Sequence, residues 1–275
     1  MKINLISGAL GAEISGLDLK DSSEENWNVI NQLLLEHKVL FFRNQNISAE
    51  EQINFAKRFG PLEKHVYVKG RDQYPEIIRI IKKPDEKQQW GETWHTDVSY
   101  NPKPTKVIIL RSIKIPPVGG DTMFSNMELA YETLDNDLKQ KIKNKKAVHS
   151  SLGAAAFVDA YKGMEGNGNL NEYSNIHPIV RTHPETGKKI LYVNSMYTKR
   201  IEGLDESESN KLLKKLFAQQ ERLDLTCRFK WTENAVAIWD NRSTQHQGLT
   251  DFFPGRGLGH ERVMDRIAIE GDQPI

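Results

Sequence analysis

A single cysteine, Cys227, leaves this chain no partner for an intrachain disulfide, and a buried, inert thiol is the expected state of that residue. No apolar run approaches the length needed to cross a bilayer. The opening Met1-Lys-Ile-Asn-Leu-Ile-Ser-Gly8 lacks the apolar core of a secretion signal, so no membrane partner and a cytoplasmic setting are expected. Neither sign of charge dominates: 38 Lys and Arg stand against 37 Asp and Glu in 275 residues, a formal charge of +1. Nucleic acid is thereby disfavoured as a partner, because its phosphates call for a surplus of basic residues on one face. The lysine-rich run Lys139–Lys146 is expected to be a solvated helix end. Internal repeats, low-complexity linkers and composition breaks are also missing. Residues 1–275 are therefore expected to form a single domain, a length often filled by a β-barrel enzyme with insertions.

What is present is a set of short strand-like runs with a few helices. Trp27, Ile30, Leu33 and Leu34 recur at helical spacing and predict an amphipathic helix over residues 23–36. Val39–Phe42 reads as a short buried strand. Ser48 and Glu51 have capping-box spacing, since each side chain can satisfy a free amide at the start of a helix that carries Ile53, Phe55, Ala56 and Phe59. A third helix is predicted after Asp205, with Leu212, Leu213, Leu216 and Phe217 on its apolar face. Strands are predicted at Ile77–Ile81, Val107–Leu110, Lys189–Val193, Ala235–Trp239 and Val263–Ile269, separated by turn signals such as Gly119-Gly120 and Asp240-Asn241. The fold class is mainly β with helical decoration, a sandwich or jelly roll (a double-stranded β-helix). Residues 82–92 and 153–175 read as long loops, and such loops are often lids over a site.

The chemistry centres on Trp94-His95-Thr96-Asp97-Val98. On an extended strand His95 and Asp97 point the same way, one pleat apart. Alone, a His-x-Asp is weak, and a surface histidine beside an aspartate explains it as well. A second element shifts the balance. Ile238–His246 reads as a buried strand, a turn and then a histidine. If the two segments converge, His95, Asp97 and His246 make a face of two imidazoles and one carboxylate. Iron(II) held that way keeps three positions for a chelating cosubstrate and dioxygen. Structural zinc favours thiolates, and one cysteine cannot supply that environment. Further on, Arg262 and Arg266 lie on the strand-like end of the chain, where a pair of guanidiniums makes an anion clamp. Trp94, Val98 and Tyr100 are candidate pocket residues, with core packing an equal reading for Trp94.

At this point the chain resembles the taurine dioxygenase family of iron(II)/2-oxoglutarate-dependent oxygenases, which also includes alkylsulfatases and aryloxyalkanoate dioxygenases. The likeness runs nearly end to end, through Gly11-Ala-Glu-Ile-Ser-Gly-Leu-Asp18, Phe59-Gly-Pro-Leu-Glu-Lys-His65, Trp94-His-Thr-Asp97 and Gly119-Gly-Asp-Thr122. It continues through Val180-Arg-Thr-His-Pro184, Leu191-Tyr-Val-Asn194, Trp239–His246 and Arg262-Val-Met-Asp-Arg266. The resemblance implies that His95, Asp97 and His246 ligate iron. It implies that Thr122 and Arg262 bind the distal carboxylate of 2-oxoglutarate, and that Arg266 lies between the cosubstrate and an anionic group of the substrate. His65 matches a histidine that contacts a sulfonate. A homodimer or homotetramer is implied in the same way.

The implied reaction is oxidation of a small anionic substrate, first of all a taurine-like sulfonate, with release of succinate and carbon dioxide, and of sulfite from a sulfonate. Departures bear on the substrate. The positions aligned with the taurine amine pocket hold Val68, Trp90 and Gly91, with Tyr67 and Glu92 next door. An alkyl sulfate or a carboxylate therefore stands as an alternative substrate. The segment between His246 and Arg262 is longer than usual, and Arg256 within it competes by spacing for the cosubstrate role. Arg262 is preferred because it sits on a strand-like segment. Two other classes remain to be told apart: a non-catalytic 2-oxoglutarate-binding jelly roll, and a metal-dependent hydrolase or isomerase.

Overall fold

The structure, a computed structural model, describes residues 1–21, 23–87, 91–161, 163–251 and 253–275. Alternation along the strands organises it. Val39 and Phe41 face one apolar layer while Leu40 and Phe42 face another, and the same split separates Ile108 and Leu110 from Val107 and Ile109. Ala237 and Trp239 divide from Val236 and Ile238 in the same sense. Strands buried on both faces lose the polar half of the two-residue rhythm and read as continuous apolar runs.

These strands form a seven-stranded sheet in the order Lys2–Leu5, Ala12–Ser15, Val39–Phe42, Val236–Asp240, Val107–Lys114, Arg262–Ile269 and Ile78–Lys82. Only Ala12–Ser15 and Val39–Phe42 pair in parallel among its neighbours. Against its inner face lies a three-stranded sheet ordered Thr226–Phe229, Thr122–Asn126 and Thr244–Gly248. Phe41 stacks on Phe229 with ring centroids 4.0 Å apart and meets Phe124 edge-on, which joins the two sheets. The mainly β jelly roll with helices outside it is thus observed.

Two helices, Glu24–His37 and Ala49–Lys57, cover the outer face of the large sheet, and a third, Glu206–Gln220, packs beside Thr198–Ile201 in a separate apolar cluster. Glu24–His37 begins at Ser23, whose side chain accepts from the Asn26 amide, and buries Ile30, Leu33 and Leu34. Ala49–Lys57 carries the complete Ser48/Glu51 capping box. Glu206–Gln220 starts at Asp205, which accepts from the Glu208 amide. Each lies within one residue of its expected start.

Some boundaries differ. The first of the two loop segments begins inside a strand, because Lys82 closes Ile78–Lys82. Gln88, Gln89 and Trp90 lie outside the described residues, and with them the reading of Trp90. The second segment is not structureless: Ala154–Ala160 forms a short helix, and Ser174–Pro178 is a strand beside Lys146–Ser150. An alanine-rich stretch has high helix propensity, which the flanking glycines mask in the sequence. Cys227 is buried, and burial pushes its thiol up to about 12, in keeping with an inert side chain.

Ile238 is fully buried on the central strand whereas Leu5 is 64% exposed on the sheet edge. Ile238→Ala is expected to cost roughly 2–5 kcal/mol, and Leu5→Ala under about 0.5 kcal/mol. Urea unfolding of the two variants measures both; similar midpoints would contradict this placement of the core.

Candidate active site

His95 and His246 are 151 positions apart in the chain, yet each donates its amide to the other's carbonyl, at 3.1 and 2.9 Å. This isolated bridge sets their rings with centroids 4.1 Å apart. Trp239 and Phe124 pack on the His246 ring and fix its plane. Asp97 joins them by a different route from the expected pleat. The chain leaves the bridge after His95 and turns: Val98 has φ 44°, and the Asn101 amide closes onto the Val98 carbonyl at 2.9 Å. Asn241 takes the place of a strand partner. Its Oδ1 accepts from the Asp97 amide at 3.1 Å, and its Nδ2 donates to the carbonyls of Asp97 and Thr105. The outcome is the convergence that the sequence suggested, produced by a turn rather than by a strand. One donor atom from each of the three residues lies within 4.8 Å of the others.

The charges fit a cation. Burial works against ionising Asp97, but the Arg266 guanidinium 3.4 Å away, then His246 and His95, outweigh it and hold the carboxyl well below the usual range. Its Oδ1 lies 3.5 Å from Nε2 of His95, and its Oδ2 lies 3.6 Å from Nε2 of His246. Burial first, and then the neighbouring His95, push His246 down to about 3, so this imidazole is neutral and can act as a donor ligand. Nδ1 of His95 lies 2.7 Å from the Thr93 carbonyl. It must donate its proton there, which leaves the Nε2 lone pair for the site. Asp97 Oδ2 is buried and accepts no hydrogen bond; a divalent ion would satisfy it. Two imidazoles, one carboxylate and no thiolate make the donor set suited to iron(II).

Beside the triad lies a small cavity of about 50 Å³, whose walls include Thr122, Arg262 and Arg266 as well as the three donors. Both arginines are buried. Arg262 has no carboxylate ion partner among the described residues, and its Nε lacks a hydrogen bond. Burial pushes this guanidinium down to about 10, with Tyr161 and Asp121 acting in the other direction. Arg256 is exposed, lies over the Phe253 ring, and lines no part of this cavity.

A second cavity of about 390 Å³ meets the first at Gly91 and His95. Its side walls are Leu152, Ala154, Phe157, Met196 and Tyr197, with Glu92 also lining it. These wall residues escaped the sequence reading, although Leu191-Tyr-Val-Asn194 and the segment over 153–175 flank them. Of the substrate residues read from sequence, Arg266 lines the first cavity and the others sit elsewhere. Val98 and Tyr100 are buried in the core between the sheets and line neither cavity. The Tyr67 hydroxyl is engaged with Ser151 and the Asn171 carbonyl. His65 also lines neither cavity. Its Nδ1 accepts from the amides of Tyr67 and Val68, and burial, with Arg266 second, pushes it down to about 3. A third cavity, about 820 Å³, is bordered by Lys139, Lys143, Lys145, Lys146 and Lys189, with none of the triad in it.

Residues 2–267 match the family model described as taurine catabolism dioxygenase TauD, TfdA family. The chain belongs to this family. It is 37% identical to an alkylsulfatase of Acinetobacter baylyi, covering 99% of this chain and 86% of the relative. It is 31% identical to an alpha-ketoglutarate-dependent sulfate ester dioxygenase of Pseudomonas putida, over 100% and 91% of the two chains. The crystal structure of a taurine dioxygenase from Burkholderia xenovorans superposes with a TM-score of 0.83 at 33% identity, over 100% of this chain and 92% of that one. This TauD/TfdA family member is a 2-oxoglutarate-dependent dioxygenase, and the family's cofactor, cosubstrate and oxidant are iron(II), 2-oxoglutarate and dioxygen.

Metal binding that favours the folded state raises stability by about 2.7 kcal/mol at a hundred times the dissociation constant. Anaerobic iron(II), or manganese(II) as a redox-stable substitute, is expected to raise the melting temperature of the native chain. Asp97→Ala and His246→Ala are expected to remove that rise. Calorimetry reads the result, and a full metal-induced rise in both variants would place the ion elsewhere.

Proposed function

We propose that this dioxygenase oxidises the carbon bearing a sulfo group, sulfonate or sulfate ester, on a substrate whose remainder is apolar. His95, Asp97 and His246 hold the iron. Thr122 and Arg262 hold the distal carboxylate of 2-oxoglutarate, and Arg266 faces the anionic end of the substrate. Support for the arginine roles comes from charge: two buried guanidiniums line one small cavity, and Arg262 has no carboxylate ion partner among the described residues. A fixed planar fork suits carboxylate and sulfo oxygens alike.

When bound, iron(II) would activate dioxygen, the oxidant: one oxygen atom goes to the substrate carbon and the other to 2-oxoglutarate, which leaves as succinate and carbon dioxide. The protein decides which carbon is presented and keeps water away. Hydroxylation of the carbon next to sulfur, or next to the ester oxygen, gives an adduct that collapses to an aldehyde. The inorganic product is then sulfite from a sulfonate or sulfate from an ester.

One observation carries the substrate reading: Leu152, Ala154, Phe157 and Met196 give the adjoining cavity an apolar wall. The names of the alkylsulfatase and sulfate ester dioxygenase relatives agree with it. Glu92 favours a second reading, because a carboxylate lining the same cavity suits the ammonium of taurine. Chain length separates the two. Each buried methylene contributes about 0.8 kcal/mol, so four more in the cavity amount to roughly 3 kcal/mol, above a hundredfold in affinity. Coupled succinate formation is expected to show kcat/KM for hexyl sulfate or hexanesulfonate at least tenfold above that for taurine. A preference for taurine would overturn the apolar reading.

A further inference from the structure

Thr122 stands at the start of a strand, paired with Phe229 on one side and Gly248 on the other. Its side chain is buried, and its Oγ1 accepts a hydrogen bond of 3.0 Å from the indole Nε1 of Trp231. An indole N–H can only donate, so this contact occupies an acceptor position of the hydroxyl and leaves the Thr122 proton to be given elsewhere. Among the described residues none accepts it, and the cavity between Arg262 and the triad lies alongside. The same indole also faces Arg262, whose guanidinium carbon lies 6.0 Å from the ring centroid, at the outer limit for attraction between a cation and an aromatic face. Trp231 is itself 3% exposed and is held edge-on by Phe229, with centroids 5.0 Å apart.

We propose that Trp231 is a positioning residue for the remote carboxylate of 2-oxoglutarate: it turns the Thr122 hydroxyl into a donor aimed at that carboxylate and backs the Arg262 guanidinium. This inference rests on the reading of Thr122 and Arg262 as the cosubstrate's anchors. Trp231 touches neither the ion nor the reacting atoms. It acts by fixing a hydroxyl that would otherwise sample three rotamers, and by placing a π face beside a cation that makes no ion pair with a carboxylate among the described residues.

The test is equilibrium binding to the anaerobic iron(II) protein, measured by calorimetry, with two keto acids. 2-Oxoglutarate has the remote carboxylate; 2-oxobutyrate shares the chelating end and lacks it. Trp231→Phe keeps an aromatic ring and removes the N–H. It is expected to weaken 2-oxoglutarate about 3- to 10-fold, in line with the loss of one hydrogen bond, and to change 2-oxobutyrate less than about twofold. In a Thr122→Val background the Trp231→Phe change is expected to add little more, since the bond it removes is already gone. If Trp231→Phe does not fold, site-specific benzothienylalanine at 231 keeps the bicycle and removes only the donor. Equal weakening of both keto acids, or full additivity with Thr122→Val, would overturn the proposal and leave the anchors standing. Unchanged 2-oxoglutarate affinity in Thr122→Val and Arg262→Met would instead overturn the reading of the anchors.

Discussion

A carboxylate stripped of water must be compensated by charge, and the site is built around that requirement at Asp97. Burial alone would leave it protonated; Arg266 and the two imidazoles keep it ionised. An uncompensated buried charge costs several kcal/mol, so these groups cannot be arranged independently. Arg266 has to enter from the Arg262–Ile269 strand, and the imidazoles have to meet through the reciprocal backbone bridge. The jelly roll serves this convergence: one sheet brings the guanidiniums, the other brings His246, and the turn after His95 brings the carboxylate between them.

The turn has its own support. Asn241 holds the Asp97 backbone, and Asn241 is set by the Asp240–Arg242 corner that follows the central strand. There burial opposes ionisation of Asp240 most strongly, yet Arg242 and His183 hold its carboxylate well below the usual range. Arg242 bonds it at 2.6 Å and His183 at 2.9 Å. A second satisfied ionic cluster therefore anchors the first, which accounts for the Trp239–His246 run being so polar inside a buried stretch.

The large sheet was legible because both of its faces are covered. Val39–Phe42, the core of Val107–Lys114 and Val236–Asp240 are apolar at every or nearly every position, and a run of that kind needs no periodicity to be noticed. The small sheet was not. Thr122–Asn126, Thr226–Phe229 and Thr244–Gly248 carry threonine, serine, glutamine and histidine, because Thr122 and His246 face the functional cavity while Ser125 and Gln245 donate to the backbone carbonyls of Gln220 and Val193. The metal donors were legible as residue types in a spacing; the turn at Val98 was not, since β-branched residues seldom take positive φ. The apolar wall escaped notice because Leu152, Phe157 and Met196 come from a short helix and a loop, where no strand or long helix imposes a readable pattern. Trp231 escaped because a lone tryptophan in a sequence reads as core, which it also is.

The strand Arg262–Ile269 is an interior member of the large sheet, between Val107–Lys114 and Ile78–Lys82, although it lies near the chain's end. Ile78–Lys82 has no other neighbour in that sheet. Without Arg262–Ile269, then, the large sheet has a gap between Val107–Lys114 and Ile78–Lys82. The guanidinium that keeps Asp97 charged lies on that same strand. The charge balance at the buried carboxylate is thus completed only when the sheet is, so the two form together.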